Sequence, residues 1–311
     1  MKANEFKMVQ MRPLFWQHSL RSKSAIAFFL LLLSVGGCKD LFTCKGDPVG
    51  PDPGSGQGAF EVAKIARFDL GAGLWRTMGE SVNGPVNALA GNEGILYVAG
   101  AFQSANTLPN TNLIAQWNGS SGAWAEVGAG LYGEAVHALV LNGNDLYVGG
   151  QFYLAGEVQV NNAARWDGTR WSALGNGLNG TVYDLALWRN ELYAAGQFFS
   201  VSSEQFHSLA RWRDGVWTLL GDPTTPSGQD SYQIKGLALV AEGNNMYLGG
   251  RFDKMGGQSV YHVARWDRER WADLTGGTHE IGETLLSGVR ALGVLGSDIF
   301  AGGTFSSVGN Q

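Results

Sequence analysis

The sequence predicts an all-β fold, and three observations carry that prediction. First, an aliphatic-aromatic segment ending in a small-residue pair and a phenylalanine occurs five times: GILYVAGAF (Gly94 to Phe102), DLYVGGQF (Asp145 to Phe152), ELYAAGQF (Glu191 to Phe198), NMYLGGRF (Asn245 to Phe252) and DIFAGGTF (Asp298 to Phe305). The phenylalanines lie 50, 46, 54 and 53 residues apart, a fixed period of the kind that marks repeat architectures. Second, an interleaved series reads IARF, IAQW, AARW, LARW and VARW, ending at Phe68, Trp117, Trp166, Trp212 and Trp266. Each member is followed five or seven residues on by a tryptophan: Trp75, Trp124, Trp171, Trp217 or Trp271. Third, helical periodicity is almost absent after Ala59, and 46 Gly with 11 Trp and 15 Phe suit tight turns between aromatic strands.

The N-terminal segment reads as an address. Lys2, Lys7, Arg12, Arg21 and Lys23 precede an apolar run from Ala25 to Val35. Eleven residues are too few to span a bilayer but match a signal-peptide hydrophobic region. The run ends in SVGGC, Ser34 to Cys38, which resembles the bacterial lipobox. That resemblance implies cleavage before Cys38 and acylation of Cys38, a two-signal anchor of the strength needed for stable membrane attachment. Cleavage elsewhere, translation from Met11, and a Cys38–Cys44 disulfide are the competing readings; so small a closed loop would add little stability. Residues 1–37 are thus expected to be a lipoprotein signal peptide. Residues 38–58, rich in Gly, Pro and Asp, are expected to be a flexible tether.

From residue 59 to 311 each unit reads as four strands joined by Gly, Asn and Asp turns. In one unit these are TVYDLAL (Thr181 to Leu187), ELYAAGQF, LARW (Leu209 to Trp212) and VWTLLG (Val216 to Gly221). A single four-stranded sheet cannot cover both of its faces, whereas sheets packed radially can. The unit resembles the kelch repeat in its small-residue pair, its aromatic about fourteen residues later and its tryptophan beyond that. It is most similar to glycine-rich variants of the delta-60 class and to galactose-oxidase-like central domains. The resemblance spans Ala63 to Phe305 and implies a five-bladed β-propeller of four-stranded kelch-like blades. The first segment supplies strands three and four (Ala63 to Met78) and the last supplies strands one and two (Ser287 to Phe305). N-terminal strands pairing with the C-terminal blade would close the ring and remove its sheet edges; truncation at a blade boundary gives the same phase.

Charge narrows the function classes. Without its first 37 residues the chain holds 17 basic and 26 acidic residues, which argues against the clustered basic face that nucleic acid requires. No nucleic-acid partner, cofactor or metal is expected, and the chain is read as a monomer. Repeated residues are read as architecture: Arg67, Arg165, Arg211 and Arg265, with Gln116, as hydrogen bonders between blades, and the tryptophans as packing.

Function is expected where the repeat is interrupted, on the rim carrying the longer loops. Two insertions stand out, GDPTTPSGQDSYQ (Gly221 to Gln233) and TGGTHEIGETLLS (Thr275 to Ser287). They offer Asp222, Asp230 and Tyr232, and His279, Glu280 and Glu283; neighbouring loops add His207, Tyr261 and His262. No HExxH or Cys/His ligand spacing is present. WDGTRW (Trp166 to Trp171) resembles an Asp-box, a structural turn. Neither cysteine falls inside the repeats, so the copper and linked-tyrosine cofactor of galactose oxidases cannot be built in that family's manner.

The leading expectation is therefore a non-catalytic, lipid-anchored protein of the bacterial cell envelope, at the outer membrane or cell surface. It would bind a glycan, peptide or protein through its variable rim. A glycoside hydrolase and a structural subunit of an envelope complex are the alternatives.

Overall fold

A computed structural model describes residues 64–79, 81–92, 94–200, 205–220, 235–252, 254–274 and 288–304. The expected signal peptide, Cys38, the tether and both insertions, with Asp222, Asp230, Tyr232, His279, Glu280 and Glu283, lie outside the described residues. Among those described, all regular structure is β and every ladder is antiparallel. No helix there is long and apolar enough to cross a membrane.

The strands group in chain order. β1 (Ala66–Asp69) and β2 (Leu74–Thr77) form a hairpin. β3 (Val86–Asn92), β4 (Ile95–Gly100), β5 (Ile114–Asn118) and β6 (Ala123–Ala125) follow as a four-stranded meander. In the next sheet β7 (Leu131–Asn142) and β8 (Asp145–Ala155) make an unusually long hairpin; β9 (Val158–Gln159) adds to its end, and β10 (Ala163–Trp166) and β11 (Trp171–Ala173) complete the meander. β12 (Val182–Trp188), β13 (Glu191–Ser200), β14 (Gln205–Arg213) and β15 (Val216–Leu220) repeat the pattern. So do β16 (Lys235–Glu242), β17 (Asn245–Arg251), β20 (Val263–Trp266) and β21 (Trp271–Asp273), with β18 (Lys254–Met255) and β19 (Gln258–Ser259) as a side hairpin. β22 (Gly288–Leu295) and β23 (Asp298–Thr304) are a final pair. The four-strand reading of each complete unit therefore matches the observed ladders.

Successive sheets pack through their first strands: β3 lies against β7, β7 against β12, β12 against β16 and β16 against β22. The apolar core sits in the seams between them. One cluster joins Tyr97 and Ile114 to Leu146, Val148 and Trp171; another joins Tyr193 and Leu209 to Leu248 and Phe252. Burying each such side chain contributes about 1.5–3 kcal/mol, so each sheet is stabilised by its neighbours. The small-residue pair makes the close approach feasible. A Cβ on Gly149 would lie 2.4 Å from Val182 Cγ1 of the next sheet, and one on Gly150 would lie 2.2 Å from the Ala135 carbonyl oxygen of its own sheet.

The tryptophan pairs are packing elements as expected. Trp124, Trp171 and Trp271 are each more than nine-tenths buried and stack on Trp117, Trp166 and Trp266. Trp124, Trp171 and Trp217 also make hydrogen bonds between sheets, the task that the sequence assigned to arginine. Trp124 Nε1 donates to the Met78 carbonyl (2.7 Å), Trp171 Nε1 to Val127 (3.1 Å) and Trp217 Nε1 to Leu174 (3.1 Å). Each acceptor follows the last strand of the preceding sheet. Arg165, Arg211 and Arg265 stand opposite Tyr147, Tyr193 and Tyr247 in the ladders of their own sheets. Arg165 Nη2 donates to Asp145 at 2.8 Å, and Gln116 Nε2 donates to the Glu126 carbonyl. An indole fits the seam because it buries a large apolar ring and carries one donor to satisfy the waiting carbonyl.

The two end pairs differ from the complete sheets. β1 pairs with β2 and β23 with β22, and among the described residues no ladder joins β23 to β1. Trp75 is 60% exposed where Trp124 is 7% exposed, and Phe300 is 51% exposed where Tyr97 is 7%.

Candidate functional site

The described members of the predicted rim set are His207, Tyr261 and His262, and their backbones take part in the repeated ladders and turns. His262 has φ +61°, and its backbone donates to the Phe252 carbonyl (2.8 Å) and accepts from Gly250 N (2.9 Å). Asn162 (φ +60°) and Leu113 (φ +62°) make the same two bonds with Phe152 and Gly150, and with Phe102 and Gly100. His262 is thus one instance of a repeated clamp on the small-residue pair. Tyr261 precedes it and accepts a backbone bond from Val263. His207 lies within β14, opposite Phe198 in the ladder. No group of three or more His, Cys, Asp or Glu suited to a metal occurs among the described residues.

A candidate site lies at the other end of the strands, where the first-to-second and third-to-fourth strand turns meet. A cleft of about 460 Å³ opens there between three successive sheets. Tyr147 and Trp212 supply aromatic surface, Asn142 and Asn190 supply amides, and Glu191, Arg213, Asp214 and Arg268 supply charge. Its size falls within the range of small-molecule sites.

At its centre is Glu191, the first residue of β13. Its Oε2 accepts from Arg268 Nη2 at 2.5 Å and from the Tyr193 hydroxyl at 3.0 Å, while Oε1 lies 3.5 Å from Arg213 Nη1. Arg268 arrives from the next sheet, in the turn between β20 and β21. There Asp267 Oδ1 accepts from the backbone N–H groups of Glu269 and Arg270, which also holds the Asp267 carboxyl below its ordinary range. The sister turn WDGTRW is built the same way around Asp167, confirming a structural turn, and has Gly168 (φ +96°) where WDRERW has Arg268 (φ +83°). A left-handed backbone costs a non-glycine residue about 1–2 kcal/mol, and strain of this kind concentrates at functional sites. The guanidinium also lies 5.8 Å from the Trp188 ring centroid, with Arg189 at 5.4 Å. Arg268 is therefore held by a carboxylate and an aromatic ring, both from the preceding sheet.

Asp145 opens β8 as Glu191 opens β13, but its partner is Arg165 in the same sheet. Only in the Glu191 sheet does the described ion pair cross a seam. The sequence carries a signal for this, an arginine in a glycine station, but it appears only when the two turns are aligned.

A second irregularity sits at the opposite strand ends. Every first strand from β3 to β22 has a one-residue bulge at the same station, leaving Asn87, His137, Tyr183, Leu237 and Arg290 outside the ladders. The next station is alanine in four strands and Asp184 in β12. Asp184 Oδ1 accepts from Leu185 N (2.8 Å) and Oδ2 from Leu239 N of the next sheet (2.7 Å). Burial of the carboxylate in the seam pushes the Asp184 carboxyl up to about 6, against the pull of those two backbone donors.

No family model matches this chain, and no curated protein matches it. Among solved structures it is similar to the computationally designed Ika8 protein, at 17% identity and a TM-score of 0.42, over 74% of this chain and 59% of that one. The computationally designed Ika4 protein is similar at 17% identity and a TM-score of 0.38, over 60% of this chain and 94% of that one. The chain thus spans about three-fifths of the length of Ika8.

Proposed function

We propose that this chain is a lipid-anchored binding module of the bacterial envelope, built as a five-bladed β-propeller, and that the Glu191–Arg268 cleft holds an uncharged polyhydroxylated ligand, a glycan. The observation that carries the reading is Arg268, kept in a left-handed conformation and clamped on Glu191 across a seam. Aromatic faces at Tyr147 and Trp212 suit the C–H faces of a sugar ring, and the amides of Asn142 and Asn190 suit its hydroxyls. Both Glu191 oxygens are already engaged, which favours holding over proton transfer.

The propeller and its closure rest on the repeated meanders, the shared seam geometry and the complementary end pairs. The β22–β23 pair has first and second strands only, and β1–β2 corresponds to the missing third and fourth. The Cys38 anchor and the tether rest on the SVGGC motif and the composition of residues 38–58.

A glycan array probed with the detergent-solubilised full chain tests the ligand class, with Tyr147→Ala and Arg268→Gly compared in parallel. Binding by the wild type and its loss in both variants is expected. Equal binding by all three would remove the cleft from consideration. Turnover of a bound glycoside, abolished by Asp214→Asn, would replace this reading with a hydrolase.

A further inference from the structure

The turn between β1 and β2 has the same backbone frame as the turn between β5 and β6. Each holds six residues between paired aromatics, DLGAGL between Phe68 and Trp75 and NGSSGA between Trp117 and Trp124. Asp69 Oδ1 accepts from the backbone N–H groups of Gly71 and Ala72 at 3.0 Å each, and the Gly73 N–H donates to the Asp69 carbonyl at 2.7 Å. Asn118 makes the same three bonds with Ser120, Ser121 and Gly122. Arg76 Nε adds a contact to Asp69 Oδ2 at 3.2 Å, so the tip is held in one shape.

The two tips carry opposite chemistry. Ser120 and Ser121 present hydroxyls, whereas Leu70, Gly71, Ala72, Gly73 and Leu74 have no polar side-chain atom. All five are exposed, Leu70 to 90% and Leu74 to 58%. An exposed apolar run of this length is tolerated where it serves a contact. Closure of the ring would not supply that contact. In the complete sister sheet Trp117 and Trp124 are buried while Gly119 to Ala123 all stay exposed. A closed ring would therefore cover Phe68 and Trp75 and leave Leu70 and Leu74 in water. The other turns of this kind, DGTR (Asp167 to Arg170), RDGV (Arg213 to Val216) and DRER (Asp267 to Arg270), contain no such run.

We propose that the β1–β2 tip is a membrane-contact loop that seats Leu70 and Leu74 at the acyl-chain boundary of a phospholipid bilayer. The contact rests on the Cys38 anchor for its strength, and its place in the chain argues for this occupant. The hairpin is the first described element, and the 26 residues from Cys38 to Ala63 would reach about 30 Å as a Gly-rich coil. Two leucines alone would hold a protein on a bilayer weakly, since even one acyl chain gives marginal binding. A short tether makes the contact an intramolecular step, with an effective concentration on the order of millimolar. Asp69, the carboxylate nearest the tip, is already matched by Arg76 and two backbone donors, so it does not oppose the contact.

The test places an environment-sensitive fluorophore on Ala72→Cys, in a Cys44→Ser background, in the full chain reconstituted into vesicles of phosphatidylethanolamine and phosphatidylglycerol. Its emission should shift to the blue and be quenched by nitroxide-labelled acyl chains. The same probe on Ser121→Cys, at the sister tip, should report water. Both responses should disappear in the double variant Leu70→Ser with Leu74→Ser, whose altered positions are exposed and leave the core intact. Flotation of the vesicles reads the anchor separately. A chain that floats while the Ala72→Cys probe reports water overturns the contact and leaves the anchor standing. A chain that does not float removes the anchor. The probe is then read on the chain held to nickel-chelating vesicles through a hexahistidine in place of Cys38, where a blue shift supports the contact and a water signal overturns it. A blue shift that needs no vesicles and grows with protein concentration assigns the tip to a second copy of this chain and also overturns the proposal.

Discussion

The indole Nε1 of Trp171 donates to the carbonyl of Val127, 44 residues earlier, at 3.1 Å across a sheet-to-sheet seam. Trp171 is 6% exposed, so the bond is made away from water, and Trp124 and Trp217 make the same bond at two other seams. Replacing Trp171 by Phe keeps most of the buried ring and orphans one carbonyl, which costs about 1–3 kcal/mol. Trp171→Ala also opens a cavity and should cost about 3–5 kcal/mol. Urea unfolding of the two variants measures the difference, and equal losses would show that the bond contributes nothing.

Asp184 makes stability rise as the solution is acidified from about pH 6 toward pH 4. Burial pushes its folded carboxyl up to about 6, above the ordinary aspartate range, so the folded state binds its proton more readily than the unfolded chain. The ionised form therefore carries a penalty that is full above pH 6 and disappears as pH falls toward 4. The residue keeps some solvent contact, which sets the expected gain on the order of 2 kcal/mol. Denaturant midpoints at pH 7 and pH 5 should separate in the wild type and converge in Asp184→Asn.

Gly149→Ala and Gly143→Ala divide close packing from backbone strain. At Gly149 the new Cβ meets Val182 Cγ1 at 2.4 Å, whereas at Gly143 nothing lies within 4 Å and only φ +62° opposes the change. The first substitution should cost about 1–3 kcal/mol by forcing two sheets apart. The second should cost about 1 kcal/mol. Calorimetry that ranked Gly143→Ala as the worse variant would contradict the seam packing.

Arg268→Gly separates stability from binding. Glycine relieves the left-handed strain while the contacts with Glu191 and Trp188 are lost, so the two effects should offset within about 1 kcal/mol. Ligand retention should fall all the same. A variant that unfolds several degrees earlier would make Arg268 a structural staple.

Ring closure predicts a specific strand register. Tyr97 faces Gln116 and Val98 faces Ala115, so closure in the same register would put Phe300 opposite Arg67 and Ala301 opposite Ala66. The double variant Ala66→Cys with Ala301→Cys should form an intramolecular disulfide under mild oxidation, seen as a mobility shift reversed by reductant. A product that is only intermolecular would refute closure.

Much of the fold was legible because strand positions and packing aromatics obey a period, and Phe102, Phe152, Phe198 and Phe252 are indeed buried. Hydrogen-bond partners were less legible. A backbone carbonyl such as that of Val127 has no side-chain signature, so the crossing bond was assigned to arginine, the most conspicuous polar member of the repeat. His262 stood out for its loop beside an insertion, and the backbone duty it shares with Leu113 and Asn162 has no signature in residue type. The Glu191 cleft was missed because three sheets contribute to it through short turns, which seemed too economical to hold a site.

The row of bulges separates two kinds of heredity in this chain. Ladder positions are answerable to two neighbours and to a seam, so a substitution there is opposed from both sides. Asn87, His137, Tyr183, Leu237 and Arg290 stand outside the ladders, and each can be exchanged without disturbing a register. Recognition can therefore be retuned one residue at a time on a frame that never has to be redesigned.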